Sequence, residues 1–177
     1  MNQKKGQSPI YREVQRFRQV WLWVIILVPT GSVWYMTAEQ LLNNRTFGNH
    51  PMQDIHLAIY WVIFGIGLPI LFFFSQLITE VREDGIYFRF FPFHQTFRRI
   101  AFTEVKQCKV RTYHPIREYG GWSIRVRCKG KAYSVFGNRG VQIESLNGGR
   151  LLIGSQRAEE LWRAIPAEYR AQEGKSI

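Results

Sequence analysis

Three periodicities follow one another along the chain. Val20 to Met36 and Leu57 to Ile78 are apolar, without alternation and without a formal charge. From Thr79 onward apolar residues recur at every second position, and beyond Gly154 they recur at three- and four-residue steps. The 22 residues from Leu57 to Ile78 would reach about 33 Å as a helix, against a bilayer core of about 30 Å. The 17 residues from Val20 to Met36 are near the lower limit for a span, but Trp21 and Trp23 at one end and Trp34 and Tyr35 at the other sit where interfacial aromatics belong. The pattern predicts two transmembrane helices, at about 20–36 and 57–78. Pro29 and Pro69, with Gly31, Gly65 and Gly67 nearby, fall mid-span, where they kink a helix or let two helices approach closely. A secretory signal fits the first run less well. The basic segment before it is long, and Met36 and Tyr35 stand where a cleavage site near Ala38 wants small residues.

Ahead of the first run, "SPIYREVQRFRQVW" predicts an interfacial amphipathic helix or, on the plainer reading, an extension of the first span with a solvated basic side. Ser8 is a fitting N-cap and Pro9 a fitting first helical residue. Tyr11, Val14, Phe17 and Trp21 recur at three- and four-residue steps while Arg12, Arg16 and Arg18 point elsewhere.

The second half predicts strands at Thr79–Glu83, Ile86–Phe91, Phe97–Phe102, Lys106–Tyr113, Trp122–Cys128, Lys131–Phe136, Val141–Leu146 and Arg150–Ile153. Asp84-Gly85 turns the first hairpin, and "HPIREYGG", "KG", "GNRG" and "NGG" break the others. In "WSIRVRCK" the alternation is plain, with Trp122, Ile124, Val126 and Cys128 on one face and Ser123, Arg125, Arg127 and Lys129 on the other. "GSQRAEELWRAIPAEYR" then predicts one closing helix, acidic in its first turns and apolar at Leu161 and Ile165. The expected fold is α+β: a two-helix transmembrane hairpin in residues 1–78, then a pleckstrin-homology-like barrel or sandwich in 79–172. Seven or eight antiparallel strands and a C-terminal helix would make up the second part. Its roughly 95 residues can hold one core and not two.

Charge sets the expected orientation. Of the 24 Lys and Arg residues, five precede the first run, one (Arg45) lies in the connector from Thr37 to His56, and eighteen follow Ile78. With the acidic residues counted, the three regions carry +4, −1 and +8, which make up the net +11. The positive-inside rule places both termini in the cytoplasm and the connector outside, the N-terminal arm being the stronger evidence. Neither run contains Asp, Glu, Lys, Arg or His, so nothing marks an ion path or a proton relay.

Two spans followed by "VREDGIYFRFFPF", "YGGWSIRVR", "GNRGVQIE" and "LLIGSQRAEEL" resemble the small bacterial membrane proteins that carry a bacterial pleckstrin-homology-like domain. The resemblance implies a fold and a location at the cell membrane; it implies no reaction and no catalytic residues. Inositide-binding relatives of that fold use basic residues around the first hairpin. Here Glu80, Glu83 and Asp84 surround it, with only Arg82 and Arg89 to offset them.

The remaining chemistry is sparse. The basic side chains Arg98, Arg99, Lys109, Arg111, Arg125, Arg127, Lys129 and Lys131 are the candidate contacts to anionic headgroups or an acidic partner; the competing reading is a solvated cytoplasmic face. Cys108 and Cys128 stand on predicted strands outside any C-x-x-C pair and read as core packing. His50, Asp54 and His56 crowd the connector, and a metal-dependent membrane enzyme using them is the alternative function, although their spacing fits no standard site. No glycine-rich phosphate loop opens a helix, and no nucleic-acid module signature occurs. The expectation is a cofactor-free binding module at the membrane, with lipid, a partner protein or a further copy of itself as its contacts.

Overall fold

The computed structural model describes residues 8–43, 54–127 and 130–171. The chain is α+β and divides into two compact units, one made of Met1–Arg16 with Gln76–Ile177 and the other of Phe17–Ser75.

The first correction to the sequence reading lies at the start. Tyr11–Arg16 is a strand, β1, and not an interfacial helix. Its burial alternates strictly: Tyr11, Glu13 and Gln15 are buried, and Arg12, Val14 and Arg16 are exposed. The helical spacing of Tyr11, Val14 and Phe17 was a coincidence of period, because two polar residues carry the inward face. The chain then leaves the β unit at Arg16 and returns at Gln76, and these two residues are register partners in the antiparallel pair of β1 and β2 (Gln76–Arg82). All of Phe17–Ser75 is therefore an insertion where a hairpin loop would stand.

In the helical unit, α1 (Val20–Asn43) runs through Pro29. Its Val20–Gln40 part is, among the described residues, the one helix long and apolar enough to cross a membrane. The second helical path comprises α2 (Asp54–Tyr60), a π-helical stretch Trp61–Gly67 and α3 (Leu68–Phe74). It stops short of the predicted Ile78, because Gln76–Ile78 belongs to β2. That strand is buried on both faces from Leu77 to Val81, so its apolar run continued that of the helix without a break. Pro69 has no N–H, which removes the α-helical partner of the Gly65 carbonyl and the π-helical partner of the Phe64 carbonyl. Side chains of α1 take their place: Thr30 Oγ1 donates to the Phe64 carbonyl (2.9 Å) and Trp34 Nε1 to that of Gly65 (3.3 Å). The Trp34 and Trp61 rings lie 5.0 Å apart.

In the β unit, β1, β2, β3 (Gly85–Phe91) and β4 (Arg98–Ala101) form an antiparallel four-stranded sheet in that order. The first turn falls one residue earlier than predicted. Arg82 pairs with Gly85, so Glu83 and Asp84 make the turn and Gly85 opens β3. The second sheet has five strands in the order β5 (Val105–Thr112), β8 (Arg139–Ser145), β9 (Arg150–Gly154), β7 (Gly130–Ser134) and β6 (Ser123–Arg127). Within it β7 and β9 run parallel, which departs from the expected all-antiparallel order.

The core lies between the sheets. Leu77, Val81, Ile86, Phe88 and Phe90 come from the first, and Cys108, Tyr133, Val141, Ile143 and Ile153 from the second, all buried. The Phe88 and Tyr133 rings meet across the gap at 4.7 Å. The closing helix α4 (Ala158–Ala164) packs on β5, β8 and β1 and brings in Ala158 and Leu161. Burial pushes the Cys108 thiol pKa up to about 12, so the residue behaves as a small hydrophobe.

A buried polar clasp holds β1 in place. The Glu13 carboxyl accepts from Tyr11 Oη (2.8 Å), Ser155 Oγ (2.6 Å) and the Gln156 N–H (3.0 Å). Gln15 Nε2 donates to the Gly154 carbonyl at 2.7 Å. Burial above all pushes the Tyr11 hydroxyl pKa up, which keeps it a donor. Gly154 also lets Ser134 of β7 pack close, since a Cβ there would stand 2.7 Å from Ser134 Cβ.

Candidate binding site

Register decides which side chains share a face, because paired residues in neighbouring strands point the same way. On the outer face of the second sheet β5 contributes Gln107, Lys109 and Arg111, β8 contributes Gln142 and Glu144, and β9 contributes Arg150. Five of these, Lys109, Arg111, Gln142, Glu144 and Arg150, line an open cleft of about 270 Å³.

Glu144 organises it. Its Oε2 accepts from Gln107 Nε2 at 2.6 Å and its Oε1 from Gln142 Nε2 at 3.1 Å. Lys109 Nζ and Arg150 Nε flank the same Oε1 at 3.7 and 3.6 Å. The Gln107 hydrogen bond is the main reason that the Glu144 pKa lies below the usual carboxylate value; burial opposes it, and Lys109 and Arg150 add to it. Arg111 is held on both sides, by Gln142 Oε1 (3.1 Å) and by Glu118 Oε2 (2.5 Å). Glu118 in turn accepts from the His114 N–H at 2.9 Å. Lys109 and Arg150 keep about half of their side-chain surface in solvent, 44% and 59%. Their ion pairs are long and exposed, each worth about 0–1 kcal/mol, so an incoming anion can recruit both cations at small cost.

The eight sequence candidates do not form one patch. Lys109 and Arg111 are in the cleft. Arg99 belongs to the first sheet, where it pairs with Asp84 Oδ2 at 3.1 Å and stitches the β2–β3 turn. Arg98 reaches the Tyr133 hydroxyl at 3.3 Å, beside His94, whose pKa is lowered first by burial and then by Arg98. Arg125 is exposed and donates to the Trp122 carbonyl at 3.3 Å. It pairs with Ala132, whereas Lys131 pairs with Val126, so Arg125 and Lys131 lie on opposite faces of the sheet. The Arg127 side chain and Lys129 lie outside the described residues. So do His50 and the Asp54 side chain, while His56 is exposed on α2. Among the described residues no group of three His, Cys, Asp or Glu could hold a metal ion.

Sequence reading missed Gln107, Glu118, Gln142, Glu144 and Arg150. Gln142 and Glu144 alternate with Val141 and Ile143, and that period was visible, but pairing β8 with β5 on one side and β9 on the other requires the sheet order. No curated protein sequence and no solved structure matches the chain. The model of a family of unknown function, DUF6141, matches nearly all of it, residues 2–170, and the chain belongs to that family.

Proposed function

We propose that this protein is a membrane-anchored binding module, in which a pleckstrin-homology-like β unit is held at the cytoplasmic face and its cleft receives an anionic group of a partner protein. The insertion of an apolar helical unit between the register partners Arg16 and Gln76 carries the reading. It means that the β unit is tied to the helices by two chain crossings at one place. In this reading α1 and the path from α2 to α3 are the two spans. The carbonyls that Pro69 leaves without partners are satisfied by Thr30 and Trp34, as hydrocarbon requires. Both termini are cytoplasmic on the charge distribution. The cleft is read as a binding site because its two half-free cations, Lys109 and Arg150, flank a carboxyl already engaged by Gln107 and Gln142.

Orientation is tested with Asn49→Cys and Asn147→Cys, placed singly in a Cys108→Ala, Cys128→Ser background and treated on intact cells with an impermeant thiol reagent. The 49 site is expected to react and the 147 site to stay unlabelled; the reverse would overturn the orientation. The cleft is tested by purifying the full chain from native membranes in mild detergent beside Lys109→Gln/Arg150→Gln. A specific partner should be depleted about fivefold or more in the variant, which corresponds to about 1 kcal/mol of lost interaction. An unchanged set of companions would reduce the cleft to a solvated ion-pair network.

A further inference from the structure

The β unit has two unlike ends. One holds the turn of Glu83 and Asp84, Glu104 before β5, and the β8–β9 turn with Leu146. The other holds Arg16 and Gln76, from which the chain passes to the apolar helices. Contacts inside the unit fix what else lies at this second end. Gln15 Nε2 reaches the Gly154 carbonyl, the last residue of β9. The His94 ring lies 5.6 Å from that of Tyr133, near the end of β7. The Tyr113 N–H donates to the Asn138 carbonyl at 2.7 Å, and Trp122 Nε1 to that of Gly137 at 2.9 Å. Three connections, residues 92–97, 113–122 and 135–138, are therefore gathered around the place where the chain leaves.

Each connection offers one large apolar side chain to solvent: Phe93 is 59% exposed, Ile116 68% and Phe136 46%. Arg16, Arg98 and Arg117 are exposed at the same end. Among the described residues none of these three arginines forms an ion pair with a carboxylate. A single exposed apolar residue needs no explanation. Three on neighbouring connections, interleaved with uncompensated arginines, are the composition of a surface that meets a lipid interface, where rings and alkyl groups dip below the phosphates and guanidinium groups stay at their level. The opposite end carries acidic residues at its turns, Glu83, Asp84 and Glu104, beside Arg127 and Lys131 of the β6–β7 hairpin and the exposed side chains of Ile10 and Leu146.

We propose that Phe93, Ile116 and Phe136, ringed by Arg16, Arg98 and Arg117, form a docking rim that enters the headgroup layer of an anionic bilayer. This rests on the reading of α1 as a membrane span. The rim shares no residue with the cleft, so bilayer and partner can be engaged together.

Lipid-borne quenching tests the rim. The full chain carries Cys128→Ser, Cys108 being buried and unreactive. Phe93→Cys, Ile116→Cys, Phe136→Cys and, as the far-end control, Leu146→Cys are labelled singly with an environment-sensitive fluorophore. The proteins are reconstituted in phosphatidylcholine vesicles containing roughly one-fifth phosphatidylglycerol, with a nitroxide-labelled lipid as quencher. The three rim sites should be quenched about threefold or more beyond the control site, as expected of side chains buried roughly 5–10 Å into the interface. Replacing Arg16, Arg98 and Arg117 together by glutamine should reduce that difference. Equal quenching at all four sites, in protein that resists extraction by alkaline carbonate, would overturn the rim and leave the anchor standing. Extraction by carbonate would overturn the membrane reading and the rim with it. Shielding of the three sites already in detergent would assign the surface to a second copy of the chain.

Discussion

A chain in which Phe17–Ser75 is replaced by Asn-Gly, so that Arg16 and Gln76 flank a two-residue turn, should fold as a soluble β protein, and residues 79–172 alone should not. The joined chain keeps β1 on β2 in its native register, and Asn-Gly suits the twist of a two-residue hairpin loop. The shorter fragment, which the sequence pattern presents as a self-contained domain, lacks β1 and the first three residues of β2. It loses Leu77, which is fully buried, a deletion of the kind that costs about 2–5 kcal/mol. It also leaves the Ser155 hydroxyl and the Gln156 N–H without their acceptor, at about 1–3 kcal/mol each. Against a total stability of about 5–15 kcal/mol for a domain, these losses suffice to abolish the folded state. Circular dichroism during heating and the dispersion of amide proton shifts read the outcome. A cooperative transition of 79–172 at the same temperature as the joined chain would show that β1 is dispensable.

Glu13→Ala should be the most damaging single substitution among the polar residues of the β unit. Its carboxyl is the common acceptor of Tyr11 Oη, Ser155 Oγ and the Gln156 N–H, and alanine leaves all three donors without it in a site where Glu13 is 6% exposed. At about 1–3 kcal/mol for each stranded donor, and about 4–8 °C per kcal/mol for a domain of this size, the melting temperature of the joined chain should fall by about 10 °C or more. Ser155→Ala removes one donor to Glu13 but also takes the acceptor from a single N–H, that of Arg157 (3.0 Å), and should cost about 1–3 kcal/mol, less than Glu13→Ala. A Glu13→Ala variant that melts within about 2 °C of its parent, at most half of what 1 kcal/mol produces, would remove the clasp from the account of stability.

The strands of the second half were legible because each satisfies a local rule: alternation, bounded by Gly, Asn or Pro. What failed depended on partners remote in sequence. The arm from Ser8 to Arg16 matched a helix by period, since the residues that turn inward in β1 include Glu13 and Gln15, whose partners lie about 140 positions later. Periodicity could not place the start of β2, because a strand buried on both faces and an apolar helix read alike when joined. The parallel pairing of β7 with β9 leaves no trace in either strand. The same limit explains the cleft. Lys109 and Arg111 were visible as charges, but Glu144 and Arg150 become their neighbours only through the order β5-β8-β9. Counting charges joined Arg125 to Lys131, and the pleat separates them.

The position of β1 ahead of the inserted helices has a consequence for biosynthesis. The strand leaves the ribosome before either helix, and its pairing partner β2 follows only after the 59 residues of Phe17–Ser75. At about 5–20 residues per second, β1 waits for several seconds with an unpaired edge, and longer still for Ser155 to close over Glu13. During that interval the arginines at 12 and 16, on the face that stays exposed in the finished sheet, give the nascent arm a charge that discourages edge-to-edge association. The β unit is thus completed last, after the whole of the helical unit has been made, and its assembly reports that both chain crossings are in place.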